Sequence, residues 1–266
     1  MFSPPASKTI ASLSFRRGVG KSTVTANTAV LLAAAGYRVG VADVNFAAPS
    51  LHILFGLGKI EPAASFNDFI WGNCDMAACT LDITDHLDLQ AGRLFLTAAS
   101  IQPQQMSRIL RGGYYVNLLG NGCEEMVHTF DLDYLLVDTQ AGLGEETQLI
   151  MALADSILIV MRPDRQDVQG TGLLVEVARQ LETAYIMLLI NQVPRQQNGS
   201  VIQQEFAQVY ACDDTAVLPH SQDMLKLASK GIFALHYPDH PLTAHLNEIT
   251  RRLTTGDFQD FNALNE

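Results

Sequence analysis

The sequence is poor in the features that mark secreted, membrane-spanning and nucleic-acid-binding proteins. It has four cysteines among 266 residues and no CxxC pair, so it carries no disulfide framework, and its closest pair, Cys74 and Cys79, is a weak metal signal. Lysine and arginine number 17 against 28 aspartates and glutamates, and this net charge of −11 provides no strong nucleic-acid signal. No run of about 18 apolar residues occurs, and the first residues lack a signal-peptide pattern. We therefore expect a cytoplasmic protein.

Apolar residues are abundant, at 48% of the total, which is enough for the core of one large domain. Helical spacing over 21–36, with Gly36 at its end, and over 167–182 separates apolar segments that resemble buried strands. These strand segments are 9–14, 37–44, 133–139, 156–161 and 185–191. Near-continuous apolar runs are typical of parallel sheets that are covered on both faces. The alternation predicts an α/β fold, a doubly wound, mostly parallel sheet flanked by helices in a Rossmann-like three-layer sandwich.

Residues 58–131 are less regular than the rest of the chain. They contain a candidate short helix at 66–71, an apolar strand at 93–100, and helical stretches around 104–111 and 114–129. We interpret this segment as an insertion layered on the same sheet, within a single domain at 1–256. The acidic tail, 257–266, is predicted to be disordered.

A glycine-containing turn joins the first predicted strand to the first predicted helix. The turn reads SFRRGVGKST, and from its fifth residue onward it carries Gly18, Gly20, Lys21 and Ser22. Between a strand and a helix, such residues are typical of a phosphate-binding loop, because main-chain N–H groups and the helix dipole surround the phosphate while lysine neutralises it. The strict loop pattern fails at Phe15, where a glycine is expected, so a basic surface turn is the alternative.

Two predicted strands end in a carboxylate, Asp43 in one and Asp138 in the other. Ligands of doubly wound sheets bind at the carboxyl ends of the strands. A role as helix cap or turn residue is the alternative for either aspartate alone. Together with the loop they predict a magnesium–nucleotide site, with Ser22, Asp43 and Asp138 holding Mg²⁺ directly or through water.

These motifs resemble those of the MinD/ParA group of P-loop ATPases, also called the deviant Walker A group, and most closely its MinD side. The group's loop, K-G-G-x-G-K-[ST], matches RRGVGKS at 16–22. The resemblance continues through 23–57, 133–155, 188–193 and 217–231. It implies an ATP-binding protein with ATP or ADP and Mg²⁺ as cofactors, which acts as a nucleotide-dependent switch in intracellular positioning, partitioning or regulation.

The resemblance also implies roles for individual residues. The implied nucleotide-binding residues are Arg17, Gly18, Val19, Gly20, Lys21, Ser22, Thr23, Gly142, Asn191 and Pro219. The implied catalytic residues are Lys21, Arg16, Asp43, Asn45 and Asp138. In the family, the segment containing Gly142 senses the γ-phosphate. Asn191 matches the asparagine that binds the adenine edge, and Pro219 matches a residue that lines the adenine pocket.

The loop departs from the family pattern at three positions. Arg16 replaces the signature lysine, which in the family reaches across a dimer to the partner's phosphates, and arginine keeps the charge. Arg17 replaces a glycine near that dimer interface, where its side chain would either clash or add a second cation. Phe15 replaces the leading glycine, so either this residue is strained or the loop entry has shifted. The resemblance thus implies a nucleotide-dependent homodimer and an unidentified protein partner.

Asn45 replaces an aspartate that positions the attacking water in the family. An amide can hydrogen-bond water but cannot accept its proton, and general-base assistance contributes roughly 10²–10⁴-fold to a rate. We therefore expect slow ATP hydrolysis. Gln140 stands where the family often has proline and is a candidate for positioning the water, as a glutamine does in small GTPases. A plain polar loop residue is the alternative.

Two other functions remain open. A hydrolysis-deficient adaptor that binds ATP or ADP only as a structural ligand is favoured by Phe15, Arg17 and Asn45. An iron–sulfur carrier on the same fold is disfavoured by the lack of a CxxC pair. No membrane-targeting helix is predicted, because acidic residues rather than lysines flank the apolar positions of the tail, which are Phe258, Phe261 and Leu264.

Overall fold

A computed structural model describes residues 7–58 and 64–254. Its strands are β1 (Lys8–Leu13), β2 (Arg38–Asp43), β3 (Thr80–Asp82), β4 (Arg93–Thr97), β5 (Tyr134–Asp138), β6 (Ser156–Met161), β7 (Tyr185–Val193) and β8 (Asp214–Pro219). The longer helices are α1 (Lys21–Ala34), α5 (Pro103–Gly112), α6 (Asn117–Phe130), α7 (Glu145–Leu153), α8 (Arg165–Gln180), α9 (Gly199–Tyr210) and α12 (Pro241–Leu253). The shorter ones are α2 (Leu51–Leu54), α3 (Phe66–Ile70), α4 (Met76–Cys79), α10 (Gln222–Leu227) and α11 (Phe233–His236).

The strands form one sheet in the order β3-β4-β2-β5-β1-β6-β7-β8. Every neighbouring pair is parallel except β3 and β4, which are antiparallel. The chain adds strands on both sides of β1, as in doubly wound sheets, so the predicted fold class is confirmed. β1 therefore lies at the centre, and its carboxyl end meets those of β2, β5 and β7 at one edge of the sheet.

Apolar cores lie on both faces of the sheet. Side chains alternate along a strand, so Leu136 of β5 packs in one core while Leu135 and Val137 pack in the other. Helices α1, α11 and α12 cover the first face, and α6, α7 and α8 cover the second. This two-sided burial explains why the strands are almost continuously apolar in sequence.

Helix α1 begins at Lys21, where the phosphate-loop pattern predicts, and ends at Ala34. Gly20 precedes it with a φ of 92°, and Gly36 follows it with a φ of 100°. Both values lie in the left-handed region that favours glycine. The two glycines thus place the boundaries of the helix that the sequence indicated.

The segment 58–131 contributes β3 and β4 to the same sheet and packs α6 beneath it. The strand predicted at 93–100 ends at Thr97, because the chain then bonds to α3: Phe66 N–H donates to the Ala98 carbonyl and Ser100 N–H to Asn67 Oδ1. Helix α6 starts at Asn117 rather than near residue 114. The short elements β3 and α4 were not predicted, since so few residues show no period.

The tail predicted to be disordered, 257–266, lies outside the described residues. Within the described residues, no helix has the length and apolar character needed to cross a membrane.

Candidate functional site

The turn between β1 and α1 has the backbone shape that a phosphate-binding loop requires. Gly18 and Gly20 have φ values of 79° and 92°. A Cβ on Gly20 would also lie only 2.4 Å from Asn191 Nδ2. The first N–H groups of α1 have no partner within the helix and are available to an anion. Backbone strain and close packing therefore both require glycine at position 20.

A buried cluster of polar side chains lies directly beneath this turn. Lys21 Nζ donates to Asp138 Oδ1 at 2.6 Å, and Ser22 Oγ donates to Asp138 Oδ2 at 2.6 Å. Thr25 Oγ1 also approaches Asp138 Oδ1, at 3.2 Å. Lys21 is 6% exposed and Asp138 is fully buried. The structure thus brings together the predicted loop lysine, the loop serine and the strand-end acid.

Asp43 lies beside Asp138, because the two residues are opposite each other in the parallel register of β2 and β5. Its carboxylate is fully buried and accepts the backbone N–H groups of Asn45, Ser50 and Leu51, at 3.0–3.2 Å. Burial, and then the charge of Asp138, raise the pKa of Asp43 from 3.8 to about 7, although the three N–H groups act in the opposite direction. A cation placed between the two carboxylates would relieve this unfavourable pairing.

The residues at this edge fit Mg²⁺. A hydroxyl and two carboxylates are the hard oxygen ligands that this ion prefers, with water and phosphate completing its octahedron. A metal site made of protein ligands alone would need at least three His, Cys, Asp or Glu side chains close together. The described part of the chain contains no such group. The donor set is therefore that of a metal held jointly by protein and ligand.

A second group of predicted residues lines a cavity of about 80 Å³ beside the loop. Its walls include the predicted residues Gly20, Thr23, Asn191 and Pro219, and also Asn27 and Met224, which were not predicted. Asn191 is 7% exposed, its Nδ2 donates to the Val19 carbonyl at 2.8 Å, and its Oδ1 accepts the Gln192 N–H. The amide carries a second N–H hydrogen that can reach a ligand. Asn191 thus ties the end of β7 to the loop at the edge of the cavity.

The residues predicted near the terminal phosphate are engaged with their own chain. Asn45 Nδ2 donates to the Ala48 carbonyl at 2.9 Å. Gly142, with a φ of 98°, donates its N–H to the Ser14 carbonyl at 2.9 Å. Gln140 Nε2 donates to Glu146 Oε2 at 3.0 Å. The segment after β5 therefore runs beside the loop, as the resemblance implies for a phosphate sensor.

The unusual residues at the loop entry face helix α8. Arg16 is paired with Asp164 and Asp167, at 3.4 Å from each, whereas Arg17 is exposed. The ring of Phe15 packs on Gly170, where a Cβ would lie 1.9 Å from the ring. Phe15 is not among the described residues with positive φ. The backbone strain considered for Phe15 is therefore not observed in this structure.

Sequence reasoning missed several contributors to the site. Thr25 could have been found, because it follows Lys21 by four residues and so shares its helix face. Tyr114 and Glu146 carry no motif, and neither do the carboxylates that hold Arg16, because these contacts join segments far apart in the sequence. A fold is needed to bring them together.

Comparison with known proteins identifies the family. A family model described as ParA, NUBPL iron-transfer P-loop NTPase, matches residues 6–254. The chain therefore belongs to this MinD/ParA-type family of P-loop NTPases, as the sequence motifs predicted.

Individual relatives agree with this assignment. An uncharacterized ATP-binding protein of Methanocaldococcus jannaschii is 24% identical over 253 residues, covering 94% of this chain and 89% of that protein. An iron–sulfur cluster carrier protein of Pyrococcus horikoshii is 26% identical over 260 residues, covering 92% and 84%. The solved septum site-determining protein MinD of Pyrococcus horikoshii, complexed with Mg-ADP, superposes with a TM-score of 0.76 at 17% identity, covering 94% and 96%. The likeness to the solved structure supports the fold.

Proposed function

We propose that this protein binds ATP with Mg²⁺ at the carboxyl edge of the sheet and acts as a nucleotide-dependent switch with slow hydrolysis. The observation that carries the proposal is the contact of Lys21 and Ser22 with Asp138 directly below the N-terminus of α1. This arrangement provides a buried ammonium, a hydroxyl and a carboxylate where the helix dipole favours an anion.

Each residue then has a defined task. Lys21 exchanges Asp138 for the phosphates, and the N–H groups of the loop and the first turn of α1 surround them. Ser22, Asp43 and Asp138 would hold Mg²⁺, which neutralises phosphate charge when it is bound. The cavity beside Asn191 and Pro219 takes the base, and the free N–H of the Asn191 amide supplies a directional contact.

Isothermal titration calorimetry with Mg-ATP on the folded protein tests this proposal. We expect saturable binding, and a loss of roughly 10–100-fold in affinity for Lys21→Ala, because a charge-assisted hydrogen bond to phosphate is removed. Lys230→Ala, which changes an exposed lysine, is the matched control and should bind normally. A folded wild-type protein that releases no heat with Mg-ATP would refute the proposal.

Slow turnover is the second part of the proposal. Phosphate release measured at saturating Mg-ATP should be low in the wild type and higher in Asn45→Asp, because the carboxylate can accept the proton of the attacking water. If neither protein releases phosphate, even with a partner, the hydrolysis-deficient adaptor replaces the switch. ATP would then be a structural ligand.

Iron–sulfur transfer is a second candidate function, because the matching family model and several relatives are described in those terms. The closest cysteines along the chain, Cys74 and Cys79, interact through their thiols, and Cys123 is buried in α6. Anaerobic purification followed by iron and sulfide analysis tests this candidate. Stoichiometric iron that is lost in Cys74→Ser but kept in Cys123→Ser would support it, and iron-free protein that still binds ATP would eliminate it.

A further inference from the structure

A chain of hydrogen bonds connects the segment 58–131 to the residues that follow β5. Tyr114 Oη donates to Glu146 Oε1 at 3.1 Å, and Gln140 Nε2 donates to Glu146 Oε2 at 3.0 Å. Burial, followed by the charge of Glu146, raises the pKa of the Tyr114 phenol, so the phenol keeps its proton as a donor. Both carboxylate oxygens of Glu146 are thereby occupied, and its orientation is held from two sides.

This chain ends next to the proposed phosphate site. Gln140 follows Asp138 by two residues, and the backbone around it is fastened to the loop entry: Thr139 Oγ1 donates to the Ser12 carbonyl and Gly142 N–H to the Ser14 carbonyl. The backbone of Gln140 is therefore fixed two residues after Asp138, and Gln140 does not line the Asn191 cavity that would take the base.

The space next to Gln140 and Glu146 has room for water. The ring of Tyr114 meets the ring of Phe46 edge-on, with centroids 5.5 Å apart, and Phe46 lies three residues after Asp43. A cavity of about 270 Å³ opens among Phe46, Tyr114, Gln140 and Glu146. A water molecule takes up roughly 30 Å³ in the liquid, so the cavity is large enough to hold one.

The hydrogen bonds determine which end of the Gln140 amide is available. Because Nε2 donates to Glu146, the carbonyl oxygen Oε1 remains as the acceptor. An attacking water needs an acceptor for one O–H so that its lone pair can face phosphorus. The Nδ2 of Asn45 donates in the same way, to the Ala48 carbonyl, but Asn45 does not line the cavity beside Gln140 and Glu146.

We propose that Gln140 orients the hydrolytic water through Oε1, and that Glu146 and Tyr114 are positioning residues that keep the amide in this orientation. The inference rests on the proposed binding of ATP. The water oxygen bonds to the γ-phosphorus, the bond from that phosphorus to the leaving ADP oxygen breaks, and the two water protons end on inorganic phosphate and in solvent. No other reactant is required.

The decisive variant is Gln140→Ala, with nucleotide affinity and single-turnover hydrolysis measured separately. We expect hydrolysis of bound ATP to fall by about tenfold or more, while the affinity for Mg-ATP changes less than about twofold. Hydrolysis at the wild-type rate in a variant that binds ATP overturns the inference and leaves the binding proposal intact. Wild-type protein that binds ATP but never hydrolyses it also overturns the inference. Absence of ATP binding removes both proposals.

Tyr114→Phe tests the positioning role, with Tyr115→Phe as its matched control. Tyr115 is the neighbouring tyrosine and is 83% exposed. We expect Tyr114→Phe to slow hydrolysis by about threefold to tenfold, in line with the loss of one hydrogen bond, and Tyr115→Phe to have no effect. The double variant Tyr114→Phe/Gln140→Ala should be no slower than Gln140→Ala alone. Additive losses would show that Tyr114 acts independently of Gln140, and would overturn its assigned role.

Discussion

At the scale of single residues, the site is built around two adjacent buried carboxylates and one ammonium. Lys21, Ser22 and Thr25 all contact Asp138, whereas Asp43 is held by backbone N–H groups alone. A buried charge without an ionic partner is costly, and in the absence of a cation this cost falls on Asp43. Asp43 therefore lowers the stability of the metal-free protein at the position where the protein would bind Mg²⁺.

The pH dependence of stability tests this view of Asp43. Its folded-state pKa, about 7, lies above the ordinary value of 3.8, so the folded state binds the proton more tightly than the unfolded state. The contribution of Asp43 to stability is then fully present below about pH 4 and is lost as pH rises through 7. In magnesium-free buffer, the wild type should lose about 2–3 kcal/mol relative to Asp43→Asn between pH 5 and pH 7. Urea denaturation at the two pH values measures this difference, and an unchanged or opposite difference would contradict it.

At the scale of secondary-structure elements, the loop entry and helix α8 are fitted to each other. The Phe15 ring lies where the Cβ of any larger residue at position 170 would be, and Arg16 pairs with Asp164, the N-cap of the same helix, and with Asp167 in its first turn. The bulky loop entry is thus accommodated by a glycine in the neighbouring helix. This contact explains how a phenylalanine can replace the expected glycine.

Substitutions in α8 test the fit. Alanine normally stabilises a helix interior by roughly 1 kcal/mol relative to glycine. Gly170→Ala should instead lower the free energy of unfolding by about 1–3 kcal/mol, because the new Cβ would overlap the Phe15 ring. Gly172→Ala is the control in the same helix, since its nearest neighbour, Tyr210 Cε1, is 3.6 Å away. This control should be neutral or stabilising. The prediction is contradicted if thermal or urea unfolding gives both variants the same change in stability.

Elements with a clear period were predictable, and short ones were not. Helix α1 was predicted from its loop motif and its closing glycine, and β5, β6 and β7 were predicted from their apolar runs. Strand β4 was predicted three residues too long, because its end is decided by hydrogen bonds to α3 and not by its own residues. The pairing of β3 with β4 depends entirely on the sheet that receives it.

At the scale of the whole molecule, Arg16 and Arg17 bear on whether two copies of the chain form a dimer. Arg16 is bound to carboxylates of its own chain and Arg17 is exposed. In the homodimer that the resemblance implies, Arg16 would exchange Asp164 and Asp167 for the partner's phosphates. Association is then coupled to nucleotide binding, because only the bound phosphates compensate for the broken ion pairs.

Sedimentation velocity tests this coupling. We expect a monomer without nucleotide, a dimer with Mg-ATP, and loss of the dimer in Arg16→Ala with little change in ATP affinity. Lys230→Ala should dimerise as the wild type does. An Arg16→Ala protein that dimerises normally would show that this cation takes no part in association.

The sequence alone indicated strands β1, β2, β5, β6 and β7, the loop between β1 and α1, and the two strand-end acids. These features are local, since the loop needs only a strand, a few adjacent residues and a helix, and each acid needs only the strand that ends in it. The tertiary structure decided what the loop entry contacts and which side chains hold the amide of Gln140. Arg16 contacts Asp164, and Tyr114 contacts Glu146, only because the sheet brings distant segments to one edge. No local pattern of residues encodes such contacts.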